Sequence, residues 1–237
     1  MIVAVPSKGR AGKVATQKIL PSCRLYVPEL EAAAYRAGGA RNVIEVPNSV
    51  RGITETRNWI LDNEDDQRIV MIDDDVKVCG RFVLGERSSR QEKLTEDQWL
   101  VEFAKLFDVT EDLDYRIWGI STDGALRSVY PYRPFIFRTY VTASCMGIVN
   151  DGRTRFDPSF KVKEDYELNL RCLREDGGVL GARFLFWSNE HWTQEGGCKD
   201  YRTQDMERDA IRRLQSMYPG MIRVTKRANS PWCIEVV

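Results

Sequence analysis

The sequence predicts an α/β fold, a mostly parallel central sheet flanked by helices, on three observations. Its first half alternates short apolar runs with segments of helical periodicity, the pattern of βαβ units. One apolar run, Ile69–Ile72, has no polar interruption, as a strand covered on both faces requires. At 237 residues the chain is long enough to bury a substantial core and is sized for one domain.

Each element has its own signal. Ile2–Pro6 is a short apolar strand that opens into the polar loop Ser7–Lys13. Arg24–Val27 is a second strand, and Pro28–Arg36 an Ala-rich helix with Pro at its start and Gly38-Gly39 at its end. Val43–Val46 is a third strand. Gly52–Asn63 is a helix with Ile53, Thr56 and Ile60 on one face, followed by the strand that ends in Asp73-Asp74-Asp75. The polar stretch Arg81–Lys93 reads as a loop or mobile lid. Thr95 opens a helix with a capping box, with Trp99, Phe103, Leu106 and Phe107 at core spacing. Tyr115–Ser121 is a strand, and Ile136–Phe137 with Val141–Val149 reads as a strand pair about an Arg-Thr-Tyr turn. A helix from Lys163 carries Tyr166, Leu170 and Leu173 on one face, and Gly177-Gly178 stops it. Arg183–Trp187 is a strand, Gln204–Met217 a helix with Met206, Ala210 and Leu214 inward, and the tail a terminal hairpin or edge pair of Met221–Thr225 with Trp232–Val237.

Composition narrows the function classes. Lys plus Arg and Asp plus Glu balance at 35 each, which excludes a binder working through bulk positive charge. The six cysteines include no CxxC pair, so neither a zinc site nor a dense disulfide framework is suggested, and a reducing cytosol fits. No apolar run reaches bilayer-spanning length, and Met1–Val5 is too short for a signal sequence, so the expectation is a soluble intracellular protein.

The acidic triplet carries the chemistry. In open α/β sheets ligands gather at the carboxyl ends of strands. Along an extended chain Asp73 and Asp75 point to one side and Asp74 to the other. Two carboxylates on one side suit a hard cation that also holds phosphate oxygens, Mg²⁺ or Mn²⁺; an acidic turn with no ligand is the alternative. The loop Val5–Lys13 joins glycines to cations at a strand end, as a nucleotide diphosphate needs, but it is no Walker loop, since Val14 stands where Ser or Thr is required. Arg57, with Asn58, precedes the acidic strand and can pair with phosphate or brace an aspartate. Glu164 and Asp165 start a helix, where the dipole favours ionised carboxylates; either can serve as general base or simply stabilise the helix. His191 is the sole histidine, beside aromatics and ahead of Gly196-Gly197, readable as a packed residue or as a third ligand for Mn²⁺. Cations and aromatics mix at Arg81, Arg87, Arg90 and Lys93, and at Arg127, Arg133 and Arg138 with Tyr130, Tyr132 and Phe135. A polynucleotide groove uses such a mixture, as does an ordinary solvated basic loop.

These elements together resemble a glycosyltransferase of the GT-A fold. More narrowly, Val-Pro-Ser-Lys-Gly-Arg-Ala-Gly, Gly-Ile-Thr-Glu-Thr-Arg-Asn, Met-Ile-Asp-Asp-Asp-Val, Lys-Glu-Asp-Tyr-Glu and His-Trp-Thr-Gln-Glu-Gly-Gly-Cys resemble the TET-associated glycosyltransferases of phages. The resemblance covers most of the chain. It implies sugar transfer from a nucleoside-diphosphate sugar, a UDP-sugar, to 5-hydroxymethylcytosine in DNA, with Mn²⁺ or Mg²⁺ as cofactor and an inverting displacement. It implies a nucleotide-binding half over about residues 1–80 and an acceptor half over about 81–237. Pro6, Ser7, Arg10 and Arg57 would line the nucleotide pocket. Asp73 would meet the nucleotide or share the metal, Asp75 would hold the metal, and His191 would complete its site. Asp74 is a further nucleotide-side candidate, since the triplet aligns with a two-aspartate motif in two ways. Asp165 would be the base, with Glu164 the second candidate. Arg81, Arg87, Arg90 and Arg133 are the DNA-contact candidates.

Three rivals remain open on the residues alone: a sugar-nucleotide pyrophosphorylase, a glycosyltransferase with a glycan or protein acceptor, and a non-enzymatic DNA-binding module. The first lacks its expected Gly-x-Gly-Thr-Arg run here, and the last lacks any helix-turn-helix or zinc signature.

Overall fold

The computed structural model describes residues 1–84, 89–122, 133–189, 203–227 and 230–237. The chain opens with β1 (Ile2–Pro6) and β2 (Arg24–Pro28), then a 3₁₀ turn over Glu29–Glu31 and the helix α1 (Ala32–Ala37). The helix expected from Pro28 thus starts later, because Pro28 ends the strand. β3 (Val43–Val46), α2 (Ile53–Asn63) and β4 (Arg68–Ile72) come next, all as the periodicity predicts.

From there the chain departs from expectation. β5 (Val76–Leu84) and β6 (Ser89–Glu92) form an antiparallel hairpin where the polar composition reads as a loop. An edge hairpin is held by its backbone ladder and needs no apolar run on its outer strand. α3 (Glu96–Asp112) carries the expected capping box, Thr95 accepting from the Gln98 N–H. β7 (Ile117–Ser121) leads towards β8 (Phe135–Ile136) and β9 (Cys145–Val149). The last two do not pair with each other: β8 pairs β10 (Leu180–Asn189), and β9 lies between β4 and β7. α4 (Glu164–Glu175) precedes β10, and α5 (Gln204–Met217) precedes the predicted terminal hairpin of β11 (Ile222–Arg227) and β12 (Ser230–Val236).

The main sheet runs β3-β2-β1-β4-β9-β7-β10-β5-β6, with β8 alongside β10. β3, β2, β1, β4, β7 and β10 all point one way, and β9 runs against its two neighbours. Period-two alternation fills both faces, as the uninterrupted apolar run of β4 demands. Val70 and Ile72 pack with Trp99, Phe103 and Phe107 of α3, while Ile69 and Met71 pack with Ile60 and Leu61 of α2 and Leu168 of α4. Among the described residues no helix is long and apolar enough to cross a membrane.

The strand order places β1 and β4 side by side although β2 and β3 lie on the far side of β1. The order in which strands are added therefore reverses between β1 and β4, the place where open α/β sheets form a crevice beyond the carboxyl ends of the strands. The loop after β1 and the acidic triplet after β4 both project there.

Candidate active site

The triplet is a turn. β4 stops at Ile72, and Thr16 clamps the acidic residues beyond it: its hydroxyl donates to the Asp73 carbonyl at 2.5 Å and accepts the Val76 N–H at 3.2 Å. The Ala15 and Thr16 amides donate to the Asp74 carbonyl at 2.9 and 3.2 Å. Strand alternation ends where this turn begins, so alternation alone no longer fixes which way Asp73 and Asp75 point. It is Asp74 and Asp75 that share a partner, Arg10, which donates to both. Asp74 is buried and also takes the hydroxyl of Ser7, which meets the Tyr35 hydroxyl at 2.8 Å. Its carboxylate is thus occupied by the protein. Gly9 and Gly12 take positive φ in the loop between, at 70° and 73°, a conformation glycine adopts without strain.

Asp73 meets a different arginine. Arg57, buried in α2, donates to Glu164 at 2.5 Å and lies 3.7 Å from the Asp73 carboxylate. One guanidinium therefore joins the acidic turn to the first turn of α4. Desolvation raises the Asp73 carboxyl above its ordinary range; Arg57 opposes the rise, and Asp75, Asp74 and Asp165 add to it. Its side chain keeps 35 % of its surface exposed, so a cation entering the crevice can offset the like-charge part of this shift. Glu164 is also raised, by burial and by Asp165, with Arg57 opposing.

α4 starts on Lys163, whose φ of 59° is left-handed, a sparsely populated state for a residue with a side chain. Its ammonium is anchored 3.0 Å from Glu207 of α5 and 5.0 Å from the Tyr166 ring centroid. The next residues diverge. Glu164 turns to Arg57, whereas Asp165 accepts the Tyr140 hydroxyl on one oxygen and the Tyr166 N–H at 2.9 Å on the other. A cavity of about 220 Å³ opens here, lined by Tyr140, Thr142, Lys163, Glu164, Asp165 and Tyr166 among others. Asp165 thus borders open space beside a deep carboxylate turn, the placement a general base for a bound hydroxyl requires.

The remaining expected residues are not all brought to this point. Pro6 ends β1 beside Ser7 at the crevice. Arg81 lies five residues along β5 from Val76, roughly 17 Å away at strand spacing, and pairs with Glu92 at 2.7 Å. Arg90 sits opposite Val83, further out, and is exposed, as is Arg133. Arg87, Arg127, Tyr130, Tyr132, His191 and Gly196-Gly197 lie outside the described residues.

A family model for the TET-associated glycosyltransferases matches residues 1–196. The chain belongs to that family. It is a glycosyltransferase, and its fold is GT-A. Among solved structures, glucosyl-3-phosphoglycerate synthase from Mycobacterium tuberculosis, in complex with Mn²⁺, UDP-glucose and glycerol 3-phosphate, aligns with TM-score 0.53 and 13 % identity over 99 % of this chain and 88 % of that one. The same enzyme with UDP and phosphoglyceric acid aligns at 0.54 with 13 % identity, over 99 % and 85 %. TarS residues 1–349 of S. aureus, with UDP-GlcNAc, aligns at 0.51 with 10 % identity, over 91 % of this chain and 67 % of that one. No curated protein matches the sequence.

Whether the site of this glycosyltransferase suits a divalent cation is decided by its donors. Asp75 Oδ1 is buried with no hydrogen-bond partner, and buried polar oxygens are seldom left so. Carboxylate oxygen is the donor Mn²⁺ and Mg²⁺ take, with phosphate oxygens and water completing the shell. Among the described residues no group of three or more His, Cys, Asp or Glu side chains is placed to hold a metal, so side chains alone would not complete such a shell. Thr16, Tyr140 and Asn169 carry no motif and escape sequence reasoning. Asn169 takes the Val141 N–H and donates to its carbonyl, both at 2.8 Å, and donates to the Asp165 carbonyl at 2.7 Å, from inside the core. A fully buried Asn in a helix of apolar spacing is the signal that could have marked it.

Proposed function

We propose that this glycosyltransferase moves a sugar from a nucleoside-diphosphate sugar, a UDP-sugar, to the hydroxymethyl group of 5-hydroxymethylcytosine in DNA. The observation that carries the reading is the pairing of Asp75's unpartnered buried oxygen with Asp165's cavity-facing carboxylate, the acidic turn and α4 being joined through Arg57. The donor assignment is supported by the UDP-sugars bound to the glucosyl-3-phosphoglycerate synthase and TarS structures, and Mn²⁺ by the former. The acceptor assignment rests on the family resemblance.

In this reading residues about 1–80 hold the donor and about 81–237 receive the acceptor. Asp75, with Asp73, would hold Mn²⁺ or Mg²⁺, which when bound acts as a Lewis acid on the departing diphosphate. Asp74 and Arg10 fix the turn, and Arg57 aligns Asp73 with α4. Asp165 accepts the proton of the acceptor hydroxyl. The acceptor oxygen then forms the new bond to the anomeric carbon, and the bond from that carbon to the diphosphate oxygen breaks, its electron pair leaving with the diphosphate. Attack on the face opposite the departing diphosphate inverts the anomeric centre. Glu164, engaged with Arg57, serves as the brace.

The test is release of UDP from a panel of UDP-sugars with Mn²⁺ and oligonucleotides bearing either cytosine or 5-hydroxymethylcytosine. Release that requires the hydroxymethyl base supports the reading. Release of inorganic pyrophosphate instead would identify a pyrophosphorylase.

A further inference from the structure

We infer that Tyr140 is a positioning residue for the catalytic carboxylate, its hydroxyl fixing one oxygen of Asp165 so that the remaining lone pairs face the acceptor; this rests on the reading of Asp165 as base. Three sets of contacts define the geometry. The Tyr140 ring stacks on Tyr166 with centroids 3.9 Å apart and planes 10° from parallel, which sets the plane of the phenol. The backbone beside it cannot slide, because Asn169 holds both polar groups of Val141 and the carbonyl of Asp165. On the carboxylate, the Tyr166 amide fixes Oδ1 and the Tyr140 hydroxyl fixes Oδ2, so both oxygens are oriented before any substrate arrives.

Tyr140 also forms a shared wall. It lines the cavity of Asp165 and a second cavity of about 220 Å³ lined by Gly119, Ser121, Thr139, Gly181 and Arg183 among others. A misplaced phenol would therefore alter the face of Asp165 that meets the acceptor. Burial and the neighbouring Asp165 raise the phenol well above its ordinary range, so it stays protonated and donates. A donor to an ionised oxygen holds that oxygen more firmly than a neutral pair would.

The experiment is a kinetic cycle of wild type, Tyr140→Phe, Asp165→Asn and the double variant, with thermal melts on each. Phenylalanine keeps the stacked ring and removes only the hydroxyl. Tyr140→Phe should lower kcat by about 10- to 10²-fold, the worth of a hydrogen bond to a charged group, with KM for donor and acceptor within about twofold. In the Asp165→Asn background the same change should cost nothing further, since the base whose position it sets is gone. Wild-type kcat in Tyr140→Phe, or the same factor lost again in the double variant, would overturn the proposal while leaving Asp165 as base. Wild-type turnover by Asp165→Asn would remove the base assignment itself.

Discussion

Asp165 and Glu164 are neighbours in the chain with opposite circumstances, one bordering a cavity and the other tied to a buried arginine. That contrast separates their substitutions. Asp165→Asn should depress kcat by roughly 10²–10⁴-fold with donor affinity nearly unchanged, as loss of a general base does. Glu164→Gln should instead leave Arg57 with a weakened partner, lower thermal stability more than Asp165→Asn does, and retain more turnover. Steady-state kinetics with thermal melts on both variants decides the pair; a dead Glu164→Gln beside an active Asp165→Asn would reverse the assignment. Asp75→Ala removes the oxygen left unpartnered in the turn. Its predicted signature in calorimetry is loss of metal-dependent UDP-sugar binding, and unchanged binding in Mn²⁺ would remove Asp75 from the metal site.

The elements hold these residues in place through contacts distant in sequence. Thr16 supports the acidic turn from 57 residues away, and Arg57 reaches Glu164 across 107. Thr16→Val keeps the shape while removing the hydroxyl from a buried carbonyl and amide, so a cost of about 1–3 kcal/mol is expected in denaturant unfolding. Weaker metal-dependent donor binding should accompany it if the turn shapes the site. In the sheet, a Cβ on Gly147 of β9 would lie 1.9 Å from the Trp118 ring, so Gly147→Ala should destabilise by about 1–3 kcal/mol or more. Legibility in the sequence divides along the same line between local and distant contacts. β1, β4, α3 and α4 follow from apolar periodicity and capping, because burial and local hydrogen bonds impose those patterns on a segment by itself. The β5–β6 hairpin escapes such reading because its ladder is made of backbone, and its ion pair between Arg81 and Glu92 looks like loop polarity. Strand alternation extends one residue too far at Asp73, since the hydroxyl that ends it comes from Thr16. Tyr140 has no signal because its importance lies in a partner on another element.

Across the whole molecule, one sheet places the loop after β1 against the turn after β4, and α4 brings Asp165 to the same crevice through Arg57. Asp73 and Asp75 as ligands predict that excess chelator abolishes transfer and that Mn²⁺ or Mg²⁺ restores it, with full activity in chelator as the contrary result. Arg81 and Arg90 lie along a hairpin leading away from the acidic turn, so in the proposed function they serve phosphates distant from the reacting base. Neutralising both should weaken DNA affinity and flatten its salt dependence while sparing kcat at saturating DNA. The most direct test of the central proposal is mass spectrometry of nucleosides digested from hydroxymethylcytosine-containing DNA after incubation with the protein, Mn²⁺ and a set of UDP-sugars. The account predicts one sugar residue added to 5-hydroxymethylcytosine, absent with Asp165→Asn under the same conditions. Unmodified 5-hydroxymethylcytosine with every donor, while another hydroxyl acceptor is glycosylated, would contradict it.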